Sequence, residues 1–550
     1  MPKNTHKHTP ALMIQGTGSH VGKSLLVAGL CRYFARMGVK TAPFKPQNMS
    51  NNAAVAEDGG EIGRAQALQA LAAGIPPSHH MNPVLLKPEG EKRTQVIIHG
   101  KMHQSMTART YTKAKAGLLP AVLTSFRRLQ ETADLVIIEG AGSPAEINLR
   151  EGDIANMGFA EAADVAVVLV GDIDRGGVIA TLIGTHAVLG EADRGRIKGF
   201  LINKFRGDKA LLGEAEAVIA EATQWQNLGV VPWFAGAEAL PFEDSLGLAT
   251  AMAARGNAND SDHKRYHIAV PILPRLANMD DLDPLRLDPR FRITWVKPGT
   301  PLPLDADMVL LAGSKTTIAD LAFFRKQQWE ADLHCLVRHG CVVVGLCGGY
   351  QMLGQAIHDP HGIESGGKPT SAKGLGLLDV ETVLAGTKTT EAQRGTMSIA
   401  GLGEIAVAGY AIHLGTTTGA DTVRPMLMRN SNGEDGGRGG SEGGRVAEGA
   451  VRGDGQVMGC YMHGLFASDA LREGWMKRYG GGRRQDDGDG GDRRQNTGDG
   501  GGRRAGGGGS DGEGKPFIFA EAIDQTLDDL ADHLSRHCDM ASLRRIAGLK

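Results

Sequence analysis

Cysteine is scarce in this chain: six in 550 residues, scattered and with no Cys-x-x-Cys pair. That spacing excludes a disulfide framework or a paired zinc-ligand set and fits a reducing compartment. Long apolar runs are missing too; none approaches the about eighteen residues that span a bilayer. The first ten residues are polar and basic, without the apolar stretch of a signal peptide. An excess of charge of either sign is also absent, the formal net charge being −2. Nothing electrostatic therefore calls for a nucleic acid or an anionic membrane as partner. The expectation is a soluble cytoplasmic protein with small-molecule substrates, long enough for two or more domains.

What the chain does have is strand–helix alternation, twice over. Strands are predicted at 12–15, 41–44, 135–138, 165–170, 199–203 and 229–233, then at 267–273, 292–296, 308–311 and 342–346. Such alternation predicts parallel sheets covered on both faces. The fold class read from it is α/β, with two doubly wound domains at 1–250 and 266–550 and a polar linker at 251–265. Two segments at about 430–450 and 479–515 interrupt the pattern and hold a large part of the 78 glycines. The second repeats Arg-Arg at 483–484, 493–494 and 503–504 with almost no apolar residue. Such sequence buries too little surface to offset its ordering entropy, so both read as disordered insertions. Helical spacing then returns, with Ile523, Leu527, Leu530, Ala531 and Leu534 on one face.

Cys347 lies in Val342-Val343-Val344-Gly345-Leu346-Cys347-Gly348-Gly349-Tyr350. A β-branched run, a thiol between glycines and a helix start together predict a nucleophile elbow. A thiol so placed at a helix N-terminus is acidified and has backbone N–H groups at hand for an oxyanion. His463, in Gly459-Cys460-Tyr461-Met462-His463-Gly464, is the candidate base, about a hundred residues downstream. These residues, with Pro274–Leu285 and Leu311–Leu321, resemble the class I glutamine amidotransferases of the cobyrinic and cobyric acid branch. The resemblance implies a flavodoxin-like domain in which Cys347 forms a glutamyl thioester and releases ammonia. Gly313 and the N–H of Gly348 would then be the oxyanion donors.

Near the N-terminus a strand leads into Gly16-Thr17-Gly18-Ser19-His20-Val21-Gly22-Lys23-Ser24 and then an amphipathic helix over 25–37. That context is the one a phosphate loop requires. Backbone N–H groups cradle phosphates, Lys23 neutralises charge, and Ser24 reaches Mg²⁺. Five residues separate Gly16 from Gly22, one more than in the common form, and this longer loop resembles that of dethiobiotin synthetase and its amidoligase relatives. Those relatives place a second lysine and carboxylates around the phosphates. Lys45 in Phe44-Lys45-Pro46-Gln47-Asn48-Met49 is the candidate lysine. Glu139, Asp172 and Asp174, at or just beyond strand ends, are candidate Mg²⁺ ligands with Ser24. Glu61 is a weaker candidate, and it also reads as the start of a helix.

Phe44–Met49, Gly59–Gln66 and Met81–Pro88 extend the resemblance to the cobyrinic and cobyric acid amidotransferase family over nearly the whole chain. It implies an ATP-dependent, glutamine-hydrolysing amidoligase acting on a corrinoid in cobalamin biosynthesis. The implied substrate is adenosylcobyrinic acid a,c-diamide, amidated at four peripheral carboxylates. Two alternatives stay open: the a,c-diamide-forming branch, and an ATP-switched P-loop binding protein with a silent glutaminase domain. One departure stands out. Ala411 occupies a position where relatives usually carry Glu, and Leu465 stands where the common triad has its carboxylate. The expectation is a Cys347–His463 dyad, its histidine held by packing or backbone contacts, with His413 a mainly structural neighbour.

Overall fold

The strands of both halves are short, β-branched and apolar, and alternate residues of each bury on opposite faces. The computed structural model describes residues 9–88, 93–241, 265–386, 388–430, 444–480 and 516–549. The first sheet contains β1 (Ala11–Gly16), β2 (Thr41–Phe44), β3 (Leu135–Glu139), β4 (Ala166–Asp172), β5 (Ile197–Phe205) and β6 (Gln226–Pro232). Their order is β6-β5-β4-β1-β3-β2, with every pairing parallel. Met13, Val136, Ile138, Val167 and Leu169 enter one core. Leu12, Ile14, Leu135, Ile137, Val168 and Val170 enter the other. This two-residue alternation is what a sheet covered on both faces demands. Pro43 is tolerated because β2 is an edge strand and needs one donor fewer.

The second sheet is β7 (Tyr266–Pro271), β8 (Phe291–Val296), β9 (Met308–Leu311), β10 (Val342–Leu346), β11 (Ala450–Val451) and β12 (Val457–Cys460). Its order is β8-β7-β9-β10-β12-β11, parallel except for the edge strand β11. Beside it lies an antiparallel sheet that strand–helix alternation does not reveal. Its centre is the hairpin Thr389–Ile399 and Gly403–His413, paired along its whole length. Polar residues on the exposed side of that hairpin mask its strand character in the sequence.

Two boundaries differ from expectation. Residues 445–450, assigned to the first insertion, fall largely in strands: Arg445–Glu448 pairs with Leu427–Asn430, and β11, which begins at Ala450, with β12. Tyr479, assigned to the second, ends a helix that starts at Asp469. The remainder of both insertions, 431–443 and 481–515, and the linker up to residue 264 lie outside the described residues.

The larger difference concerns the C-terminal helices, expected to finish the second domain. Helix α1 (Lys23–Arg36) and helix α2 (Arg64–Ala72) belong to the first half, and helix α3 (Gly348–Leu353) to the second. Helices α4 (Phe519–His537) and α5 (Met540–Ala547) return to the first. Ile523, Leu527, Leu530, Leu534 and Leu543 share one core with Leu12, Leu26, Val27 and Leu30. Arg32 reinforces the α1–α4 contact with Asp528 at 2.7 Å. An apolar stripe identifies a helix that must be covered but not which sheet covers it.

Candidate active site

The thiol sits where β10 turns into α3. Cys347 has φ 52 and ψ −109, a backbone conformation rare for a residue with a side chain. Its amide donates to the Cys460 carbonyl at 2.8 Å, tying the turn to β12. Gly349 is obligatory, since a Cβ there would lie 2.0 Å from the Leu311 carbonyl oxygen. Two residues past β12, the short strand Met462–His463 pairs with Tyr410 and Ala411. His463 is fully buried, and the Cys347 thiol, which donates to the Ile412 carbonyl at 3.6 Å, lies near enough to raise the imidazole's pKa. Thiol and base, far apart in sequence, therefore meet.

The base is held by a carboxylate, which corrects the expectation of packing or backbone contacts alone. Asp281 Oδ2 lies 2.7 Å from His463 Nδ1, and Asp281 Oδ1 accepts the Gly464 N–H at 2.6 Å. Asp281 replaces neither Ala411 nor Leu465 in position; it comes from a turn roughly 180 residues before the histidine. Burial works against a charge on His463, but Asp281 and the Cys347 thiol outweigh it and hold the imidazole's pKa well above its ordinary range. A protonated imidazole is what this balance favours. Asn278 Nδ2 lies 2.9 Å from His463 Nε2 while its Oδ1 has no hydrogen-bond partner; the flipped amide would present that oxygen to a protonated Nε2. The clue in the sequence was Asp280-Asp281-Leu282-Asp283: acids among Leu276, Met279, Leu282 and Leu285, all of which the fold buries.

Gly313 and Gly348, the expected oxyanion donors, flank the thiol. A Cβ on Gly348 would meet the Ser314 amide nitrogen at 2.9 Å, and one on Gly313 would meet His463 Cε1 at 3.1 Å. One cavity is lined by Cys347, Gly313, Gln351, Glu364 and His413, and also by Asn51 and Lys87 from the first half. His413 stacks on Tyr461 with centroids 3.8 Å apart. Burial and the nearby His463 push its pKa down to about 4, so its ring is neutral near pH 7. Glu61 proves to be an interface residue: buried, 2.6 Å from Lys87 and also paired with Lys388 of the second half.

The phosphate loop follows β1. Gly22, at φ 97, caps α1, and a Cβ there would collide with the Asn203 amide at 2.3 Å. The Thr17 amide donates to the Val170 carbonyl, fixing the start of the loop beside Gly16. Lys23 Nζ bridges the carbonyls of Gly18 (2.9 Å) and Gly142 (3.1 Å), poised over the loop. Ser24 Oγ donates to Glu139 Oε1 at 2.8 Å, and Lys45 Nζ lies 2.7 Å from the same oxygen. Gln69 of α2 donates to Glu139 Oε2 at 2.7 Å.

Of the expected Mg²⁺ ligands, Ser24 and Glu139 meet and the others do not join them. Asp172 is paired with Lys204 at 2.9 Å, and Asp174 with Arg206 at 3.0 Å. Among the described residues no three His, Cys, Asp or Glu side chains group to hold a metal ion. The expectation of a three-acid cluster is corrected: Asp172 and Asp174, at or just beyond the end of β4, pair with Lys204 on β5 and Arg206 just after it, whereas Glu139 on β3 pairs with Lys45 after β2. The hydroxyl and carboxylate oxygens of Ser24 and Glu139 still suit Mg²⁺, which keeps several waters and phosphate oxygens as ligands. No helix among the described residues is long and apolar enough to cross a membrane.

Comparison with known proteins gives two family matches. A CobQ/CobB/MinD/ParA nucleotide binding domain matches residues 12–256, and a CobB/CobQ-like glutamine amidotransferase domain matches residues 267–471. Among curated relatives, a cobyric acid synthase of Azorhizobium caulinodans is 50% identical over 98% of this chain and 99% of its own length. Those of Rhizobium johnstonii and Rhodobacter capsulatus are each 50% identical, over 98% of this chain and 98% and 99% of theirs.

Proposed function

The chain belongs to the cobyric acid synthases, ATP-dependent and glutamine-hydrolysing amidoligases of cobalamin biosynthesis, and on that premise we propose that it amidates the b, d, e and g carboxylates of adenosylcobyrinic acid a,c-diamide. The observation that carries the reading is the single cavity in which Cys347 and Gly313 face Asn51 and Lys87 of the nucleotide-binding half.

At the glutaminase end, the Cys347 thiolate attacks the side-chain carbonyl carbon of glutamine. The N–H groups of Gly348 and Gly313 receive the oxyanion, and His463 gives its proton to the departing ammonia. Water, deprotonated by His463, then releases glutamate from the thioester. At the other end, Lys23 and the loop amides orient ATP so that a corrinoid carboxylate oxygen attacks the γ-phosphorus, yielding an acyl phosphate and ADP. Magnesium, when bound beside Ser24 and Glu139, offsets phosphate charge. Ammonia attacks the acyl carbon and inorganic phosphate leaves, which removes the need to expel hydroxide. Passage within the protein keeps ammonia unprotonated.

The test is the Cys347→Ala variant, assayed for corrinoid amidation by mass spectrometry. Glutamine-dependent product is expected to vanish while ammonium-dependent product persists. Failure of ammonium to restore product would refute the two-site mechanism.

A further inference from the structure

Where the two halves meet, a side chain of the nucleotide-binding half reaches the surroundings of the glutaminase base. Arg64 opens α2, and its guanidinium lies 2.7 Å from Asp280 Oδ2 in the second half. Asp280 also accepts the Tyr410 hydroxyl at 3.1 and 2.9 Å. The Tyr410 ring stacks on His463 with centroids 5.2 Å apart, and the Arg64 guanidinium sits 5.9 Å from that ring. Asp280 is the residue before Asp281, which holds His463 Nδ1.

We propose that Arg64 is a positioning residue of the glutaminase, supplied by the nucleotide-binding half, which fixes Asp280 and Tyr410 and through them the orientation of His463. The inference rests on the reading of Cys347 and His463 as the glutaminase pair. Its physical basis is charge. Asp280 and Asp281 are adjacent and buried, and two carboxylates so placed do not both stay ionised without two cations. His463 serves Asp281, and Arg64 serves Asp280. Burial, with Asp281, holds the Asp280 carboxyl above its ordinary range, and Arg64, His463 and the Tyr410 hydroxyl limit that rise. The remaining charged neighbours on that turn, Asp283 and Arg286, pair with one another at 2.9 Å.

Helix α2 adds a route between the sites. Within two turns of Arg64, Gln66 and Gln69 donate to Glu139 of the nucleotide site at 3.4 and 2.7 Å. One short rigid element thus touches the P-loop carboxylate at one point and the base's support at another.

The test compares R64Q, R64K, D280N and R64Q/D280N in the full-length protein, following glutamine hydrolysis against pH. Expected for R64Q is a kcat lower by about tenfold or more, the loss of one charge-assisted contact, with KM for glutamine within about twofold. Its acid limb in kcat/KM should move to higher pH, because Asp280 retains a proton that Arg64 kept off. R64K should recover most of both, and in the Asp280→Asn background R64Q should cost no more than about twofold. Unchanged kcat and pH profile in R64Q would overturn the inference. So would equal losses in R64Q and R64K with a common fall in Tm and an unmoved acid limb, the signature of domain docking alone. Cys347→Ala is run in parallel. If it loses glutamine hydrolysis while R64Q is unaffected, only this inference falls; if it keeps hydrolysis, the glutaminase reading falls first.

Discussion

Replacing Asp281 by Asn removes one charge while nearly preserving volume, and it isolates the part that the carboxylate plays at His463. In the native protein the carboxylate accepts from His463 Nδ1 at 2.7 Å and from the Gly464 amide at 2.6 Å. A hydrogen bond between charged groups contributes about 1.5–3 kcal/mol, which at about 1.4 kcal/mol per decade corresponds to a loss of roughly 10- to 150-fold in glutaminase kcat. The sign of the pH effect follows from the raised pKa of His463. Asp281 is one of the groups that raise it against the cost of burial, so the variant loses its imidazolium at lower pH. The basic limb of the kcat/KM profile for glutamine should move toward neutrality. The same linkage predicts a stability change. The native contribution is fully present below the unfolded histidine pKa and is lost as pH rises through the folded one, so the native–variant gap in unfolding free energy should narrow at high pH. The assay is glutamate release against pH, with ammonium-dependent amidation as the control for an intact ligase half. A variant with native kcat and an unmoved basic limb would refute the role given to Asp281.

Lys23→Ala should abolish amidation with glutamine and ammonium alike, since phosphate charge is no longer met in the transition state; ammonium-dependent turnover near the native rate would exclude the P-loop assignment. His413→Ala should lower glutaminase kcat by no more than about threefold and leave its pH profile unmoved between pH 6 and 9, because a ring with its pKa pushed down to about 4 stays neutral there. Leu530→Ala should cost about 2–5 kcal/mol in the unfolding of the nucleotide-binding half, measured in urea, because its side chain fills the core between α1 and α4; a loss confined to the glutaminase half would contradict the packing described.

The main strands of both sheets were legible because each carries its own signal, a β-branched apolar run closed by glycine or acid. The elbow was legible for the same reason: strand, Gly345, thiol, paired glycines and helix are contiguous. Asp281 was not, because its role depends on a contact roughly 180 residues away, and an acid in an apolar stretch does not name its partner. Asp172 and Asp174 show the converse. Their strand-end position was read correctly, but Lys204 and Arg206, which neutralise them, become neighbours only when β4 and β5 pair. Periodicity likewise drew α4 as a helix and could not say that Leu530 and Leu534 close over Gly29.

The return of α4 and α5 to the first sheet has a consequence for biosynthesis. The nucleotide-binding half has all six strands of its main sheet once Pro232 is made, yet one face of α1 stays uncovered until Phe519 and the residues after it leave the ribosome. At about 5–20 residues per second, the roughly 290 residues between them take on the order of 15–60 s. Throughout that interval Leu26, Val27 and Leu30 lack their partners on α4, whereas every strand of the glutaminase sheet is made before the interval ends. The second half can therefore complete its core first, and the order of folding reverses the order of synthesis. A ribosome-bound chain halted before Phe519 should hold a protease-resistant glutaminase half joined to a protease-sensitive nucleotide-binding half.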